Sequence, residues 1–233
     1  AHAAEIISAM SQAVKIPVTV KMRKGWDDTE LNAGELARRV EDAGAKAITI
    51  QGRTAKQSYS GHADWDFVSE VARTVSIPVF GSGDCVEPED IVRRMQSGVT
   101  GVYVGRGVLR NPWILAQARD LMAGRPARVV SHEERGRFLL DYMHLLLTEN
   151  IDEEDGFRHA VPHAGGERPD QREAVGKERW VINKIRALCS WYTKGFDGGA
   201  QFRIGVNSAK SISELRDLIE RFFLLQPAEP FAG

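Results

Sequence analysis

Disulfides have little to build on here. The chain has 233 residues and two cysteines, Cys85 and Cys189. Two are too few for a disulfide framework and fit a reducing compartment, so the cytoplasm is the expected location. No apolar run approaches the length of a membrane span, and no membrane partner is expected. The opening AHAAEIISAM lacks the basic n-region and long apolar h-region of a signal peptide. Charge of one sign is missing as well. Lys and Arg number 31 against 32 Asp and Glu, a formal net charge of −1. That balance neither demands nor excludes a nucleic acid, because a basic patch can sit on a neutral chain. Position 1 is not Met, and the chain opens inside an amphipathic pattern, so the expectation is a fragment of a longer protein. What is present, 42% hydrophobic and 27% charged residues, is ordinary for a globular protein.

The most informative stretch runs from 78 to 112, PVFGSGDCVEPEDIVRRMQSGVTGVYVGRGVLRNP. It reads as strand, glycine turn, helix, strand, glycine turn, helix start. The first strand stops at Gly81-Ser82-Gly83-Asp84. Pro88 suits the first turn of a helix and Gly98 its exit. Val102-Tyr103-Val104 stops at Gly105-Arg106-Gly107. Asn111-Pro112 is the expected N-cap and first residue of the next helix. Two glycine turns at the ends of successive parallel strands can present backbone N–H groups to a phosphate, and Arg106 can add a charge-assisted contact. The glycines alone leave a second reading open, tight βα turns without a ligand.

Upstream, a helix is expected over 3–14, a strand over 16–23, a helix over 31–43 and a strand over 47–51. A long loop, AKQSYSGHADWD, then leads to a helix over 64–74 capped by Asp64. Strand starts near 17, 47, 78 and 101 follow the rhythm of βαβ units with parallel strands. Four such units make either a small open sheet or half of a (β/α)8 barrel, which needs about 250 residues. Strand parity puts Val18 and Val20 on one face and Thr19, Lys21 and Arg23 on the other. It likewise parts Ile48 and Ile50 from Thr49, Gln51 and Arg53. The apolar sets belong under helices. Lys21 then points inward at a strand end, which is costly unless an anion meets it. The alternative is a lysine that snorkels into a solvated mouth.

From 131 the pattern turns helical, with a helix over 133–149. The segment 150–178 is polar and reads as an insertion or linker. His159 and His163 stand four apart within it, without a rigid element to hold them, and no metal is expected. A helix over 180–192 ends at Thr193-Lys194-Gly195. Ser211 and Glu214 fit a capping box, and Leu215, Leu218, Ile219, Phe222 and Phe223 form the stripe of a packed helix. Basic residues outnumber acids here, among them Lys184, Arg186, Lys194 and Arg203, and Trp191, Tyr192 and Phe196 are interleaved. This is either an RNA-facing surface or a solvated face over an aromatic core.

The segments VTVKMRKGWDD, ITIQGRTAKQSYSGHADWD, IPVFGSGDCVEPEDI, GVYVGRGVLRNPWIL and WYTKGF, in that order, resemble the bacterial tRNA-dihydrouridine synthases. The resemblance implies an α/β chain: the second half of a (β/α)8 TIM barrel over 1–125, then an all-α tRNA-binding domain over 126–233. It implies reduction of the C5–C6 bond of tRNA uridines, with FMN as cofactor and NADPH as reductant. Lys21 matches a flavin-contacting lysine whose cation stabilises charge on the reduced ring. Ser82, Gly83, Asp84, Gly105 and Arg106 match the FMN phosphate and ribityl segments. The RNA-contacting candidates are Arg53, Lys184, Arg186, Lys194 and Arg203.

Three departures accompany the match. Gln51 stands where many members have histidine, and Ser82 where many have asparagine; both still hydrogen-bond, but Gln51 cannot transfer a proton near neutral pH. The family's catalytic cysteine, in an Asn-x-Gly-Cys-Pro segment, has no counterpart, and neither Cys85 nor Cys189 matches its position. No catalytic residue is therefore expected in this chain, and alone it should be inactive. A half barrel also exposes sheet edges, so poor stability or self-association is expected. The rivals are an FMN barrel acting on a small molecule and a non-catalytic tRNA-binding protein. The WYTKGF tail argues against the first.

Overall fold

A computed structural model describes residues 2–148 and 170–225. The chain divides into two units, Ala1–Arg128 and Val129–Gly233.

The first unit alternates helix and strand: α1 (His2–Ala13), β1 (Thr19–Arg23), α2 (Ala33–Asp42), β2 (Ala47–Gln51), α3 (Trp65–Ala72), β3 (Val79–Ser82), α4 (Pro88–Met95), β4 (Gly101–Tyr103), α5 (Arg106–Arg110) and α6 (Ile114–Met122). The strands form one parallel sheet in the order β1-β2-β3-β4. Four successive βα units with strands in chain order are the arrangement of half a (β/α)8 barrel. Parity follows the sequence pattern. Ile48, Ile50 and Val79 are buried among Val40, Val68, Ile91 and Ile114 of the helices. Trp65 covers the same face, and a Cβ on Gly81 would collide with its ring.

β1 starts at Thr19 rather than at 16, since Pro17 has no N–H to give; the Val18 carbonyl still accepts from Lys46 N at 2.8 Å. The helix after the second glycine turn begins later than expected. Asn111 is extended and ends the short α5, and Trp113 is the N-cap of α6. The Asn111 side chain accepts from Trp113 N at 3.2 Å and its carbonyl from Ile114 N at 3.1 Å, closing a turn around Pro112.

The second unit holds α7 (His132–Thr148), α8 (Asp170–Tyr192), α9 (Gly199–Ser208) and α10 (Ile212–Phe223). Leu139 and Met143, Val181, Ile185 and Tyr192, Phe202 and Val206, and Leu215, Ile219 and Phe223 meet in one core. The α10 stripe expected from sequence faces it. Ser211 Oγ accepts from Glu214 N at 3.2 Å, while the Glu214 carboxylate reaches Lys210 N at 2.8 Å instead of Ser211 N. α8 starts at Asp170, so 170–178 is helix and not linker; its Gln, Arg, Glu, Ala and Lys are good helix formers. Positions 150–169 of the expected insertion, with His159 and His163, lie outside the described residues. Among the described residues no helix is long and apolar enough to cross a membrane.

Candidate functional site

The strand register builds one polar face. Arg23, Gln51, Ser82 and Tyr103 are lateral neighbours at the C-terminal ends of the strands, and Lys21, Thr49, Phe80 and Gly101 lie one layer below. This face is opposite the helix-covered core. It brings together three of the sequence-derived residues, Lys21, Gln51 and Ser82. The four strands leave it open: Lys21 is exposed and Gln51 and Ser82 are half-buried. Phe80 and Tyr103 meet edge to face at 5.6 Å. Arg23 turns away to brace the loop after β2, donating from Nη1 to the Thr54 carbonyl at 2.9 Å and the Ser58 carbonyl at 3.2 Å.

The first glycine turn follows β3. Gly83 has φ +135° and Asp84 φ +52°, both in the left-handed region. A Cβ on Gly83 would stand 2.5 Å from Ala63 Cβ, so only glycine fits between the two loops. Asp84 Oδ1 accepts from Arg53 Nη2 at 2.6 Å and Oδ2 accepts from Ala63 N at 2.6 Å. Burial opposes ionisation of Asp84. The Ala63 amide, the Arg53 guanidinium and the nearby His62 outweigh that and hold its carboxyl below the ordinary value of 3.8. Trp65 Nε1 donates to the Gly83 carbonyl at 2.9 Å. Among the described residues the Gly83 and Asp84 amides meet no acceptor.

Arg53 is corrected here. It was expected to face RNA, yet it is 2% exposed. Besides Asp84, its guanidinium donates to the Gly61 carbonyl at 2.6 Å and the Ser60 carbonyl at 3.0 Å. Its Nη1 meets no acceptor among the described residues, but it is buried as well, so no part of the side chain is open to an RNA phosphate. Each Asp84 carboxylate oxygen already accepts one bond inside the chain, and the side chain is partly exposed.

The second glycine turn follows β4. The space beside Gly105 is open. Arg106 is exposed, with its Cζ 4.7 Å above the Tyr59 ring and its Nη2 3.9 Å from Asp84 Oδ1. A Cβ on Gly107 would collide with the Cys85 carbonyl, so the two turns lie against each other. Cys85 itself is buried in the core, and burial pushes its thiol up to about 11. Cys189 is buried likewise and pushed up to about 12. Neither is a ready thiolate or an accessible acid.

Sequence reasoning passed over Lys24, 7% exposed, whose Nζ lies 3.4 Å from Asp64 Oδ2 and 3.7 Å from Asp28 Oδ1. It also passed over Tyr59, Ala63 and Trp65, which hold the turns. Their signal was their crowding into one loop, YSGHADW, between a strand and its helix. An open hollow of about 510 Å³, lined by Met22, Arg23, Trp26 and Leu36, lies between the loop after β1 and α2, away from both glycine turns.

In the second unit, Lys184 and Lys194 are exposed, and Lys184 Nζ lies 5.3 Å from the Trp180 ring centre. Arg186, expected to face RNA, is half-buried. Its Nε donates to the Val206 carbonyl at 2.9 Å and its Nη2 to the Ala209 carbonyl at 2.5 Å, so it caps the end of α9. Arg203 is half-buried and donates to Thr193 Oγ1 at 3.1 Å.

A sequence model of the family described as "Dihydrouridine synthase (Dus)" matches residues 1–181. A protein of Rickettsia conorii named "Probable tRNA-dihydrouridine synthase" is 36% identical over 223 residues, covering 95% of this chain and 60% of its own length. One of Rhodobacter capsulatus with the same name is 41% identical over 166 residues, covering 70% of this chain and 51% of its own. The chain thus spans about half to three-fifths of the curated relatives it matches.

Proposed function

The chain belongs to the dihydrouridine synthase family, and from that premise we propose that it is the FMN-binding half and tRNA-binding tail of a tRNA-dihydrouridine synthase. The observation that carries the proposal is the meeting of the two glycine turns beside the polar sheet face, with Arg106 between them.

The residues suit the cofactor. Among the described residues the Gly83 and Asp84 amides meet no acceptor and nothing fills the space beside Gly105, and Arg106 offers an exposed cation. Those four residues would hold the phosphate end. Lys21, Gln51 and Ser82 would line the sheet face under the ring. Bound FMN, once reduced by NADPH, would supply the hydride that saturates the C5–C6 bond of a uridine. Lys21 contributes a fixed positive charge where negative charge develops. Gln51 orients by hydrogen bonding and moves no proton. Neither cysteine of the chain fits the proton donor for C5, because both thiols are buried with raised pKa values. That role is assigned to the cysteine of the family's Asn-x-Gly-Cys-Pro segment. Lys184 and Lys194 would meet tRNA phosphates, with Trp180 and Trp191 near them on α8.

The test is made on the protein carried by the complete reading frame. Bound-flavin absorbance together with tRNA-dependent NADPH oxidation is the expected result. The present chain alone should give no dihydrouridine. Absence of flavin uptake by the complete protein, with tRNA binding intact, would replace the enzyme reading by a binding one.

A further inference from the structure

We propose that Arg53 and Asp84 are positioning residues, a largely enclosed ion pair that fixes the 82–84 turn in the form that receives the FMN phosphate. The proposal rests on the FMN reading above. Neither side chain touches the ligand; they act through the backbone between them.

The geometry is specific. Asp84 sits at φ +52°, a conformation uncommon outside glycine and best tolerated by Asp and Asn. The loop after β2 and the first residue of α3 hold it there. Arg53 and the Ala63 amide take the two carboxylate oxygens, and Trp65 takes the Gly83 carbonyl. Gly52 N adds a bond to the Ser82 carbonyl at 3.1 Å. Arg53 is anchored in turn by the Ser60 and Gly61 carbonyls. The Ser60 and Gly61 bonds stay within the loop after β2; the other ties run from that loop and the first residue of α3 to the end of β3 and the turn after it. The turn cannot relax without the loop.

The charges make sense on the same view. A lone carboxylate in a phosphate turn would repel the ligand. Arg53 cancels it from the buried side at 2.6 Å, and Arg106, stacked on Tyr59 and more loosely paired with Asp84 at 3.9 Å, has an exposed cation to offer the anion. Two explanations of the aspartate then give opposite signs on substitution. Asp84→Asn keeps the side chain's size, tolerates a left-handed φ and removes the negative charge. If charge alone governed, FMN would bind more tightly. If the ion pair sets the turn, FMN binds about tenfold or more weakly, as expected for loss of a charge-assisted hydrogen bond.

The experiment titrates FMN into the flavin-free complete protein, following flavin fluorescence, for the parent, Asp84→Asn and Arg53→Lys. Arg53→Lys keeps the charge but cannot reach Asp84, Ser60 and Gly61 at once, so it should also weaken FMN. Hydrogen exchange of the Ala63 amide and the Trp65 indole is read in the same proteins without flavin. Both protons should be protected in the parent and exchange at least tenfold faster in either variant. Asp84→Asn binding FMN as tightly as the parent or more so overturns the proposal. So does an Ala63 amide that exchanges freely in the parent, a result that needs no variant to fold. A parent that takes up no FMN removes the FMN reading, and this proposal with it.

Discussion

Asp84 shows how one carboxylate can be set by its neighbours. Its pKa is lowered in the fold because the Ala63 amide and Arg53 favour the charged form more than burial disfavours it. The stabilisation is therefore present above the ordinary value of 3.8 and is lost as pH falls through the lower, folded value. Melting temperatures of the parent and Asp84→Asn, compared from pH 6 to pH 2.5, should differ most at the upper end and converge at the acid end. A gap that widens on acidification would mean that Asp84 is not ionised in the fold. The exposed pair of Asp27 and Lys56, at 2.7 Å, also shifts both groups toward their charged forms. Its setting in solvent leaves it little weight in stability.

At the scale of elements, helix starts carry much of the local order. Asp64 caps α3 by accepting from Phe67 N at 3.0 Å and also pairs with the buried Lys24. Ser211 caps α10 and has no ionic duty. Ser211→Ala should therefore cost about 1 kcal/mol, the ordinary value of a cap. Asp64→Ala should cost about 2–4 kcal/mol, since it also leaves the Lys24 ammonium with Asp28 alone, 3.7 Å away. Urea unfolding of the two variants measures both, and equal losses would count against the Lys24 pairing. β2 begins and ends where the alternation of Ile48 and Ile50 with Thr49 and Gln51 placed it, because each apolar residue meets a buried face. α9 escaped the pattern. Glycines at 195, 198 and 199 mask its start, and only Phe202 and Val206, four apart, mark its buried side.

At the scale of the whole molecule, each unit has its own core, and the proposed functions divide between them. In the second unit only some cations are free to meet a polyanion. Lys184→Glu with Lys194→Glu should weaken tRNA binding and lower the salt dependence of log K by about 2, one unit per lost phosphate contact. Arg186→Gln should instead lower the melting temperature and leave the salt dependence unchanged, since its guanidinium serves the α9 carbonyls. Filter binding over a range of salt separates the two. An Arg186 variant that lost the salt dependence while keeping its stability would return that residue to the RNA surface.

Spacing and parity in the sequence were sufficient for four parallel strands, the faces they present and the glycine turns at their ends. These depend on residues a few positions apart, and the α/β class follows from their rhythm. The motif resemblance added the family, which the comparisons bear out. The fate of each cation was settled only by tertiary structure. Arg53 looked like a surface residue beside a loop, but its partner Asp84 lies 31 positions further on, and the two meet because β2 and β3 are neighbours. Arg186 likewise finds its acceptors 20 and 23 positions away, at the end of α9. Burial and pairing arise from contacts between distant segments, and local pattern holds no record of them.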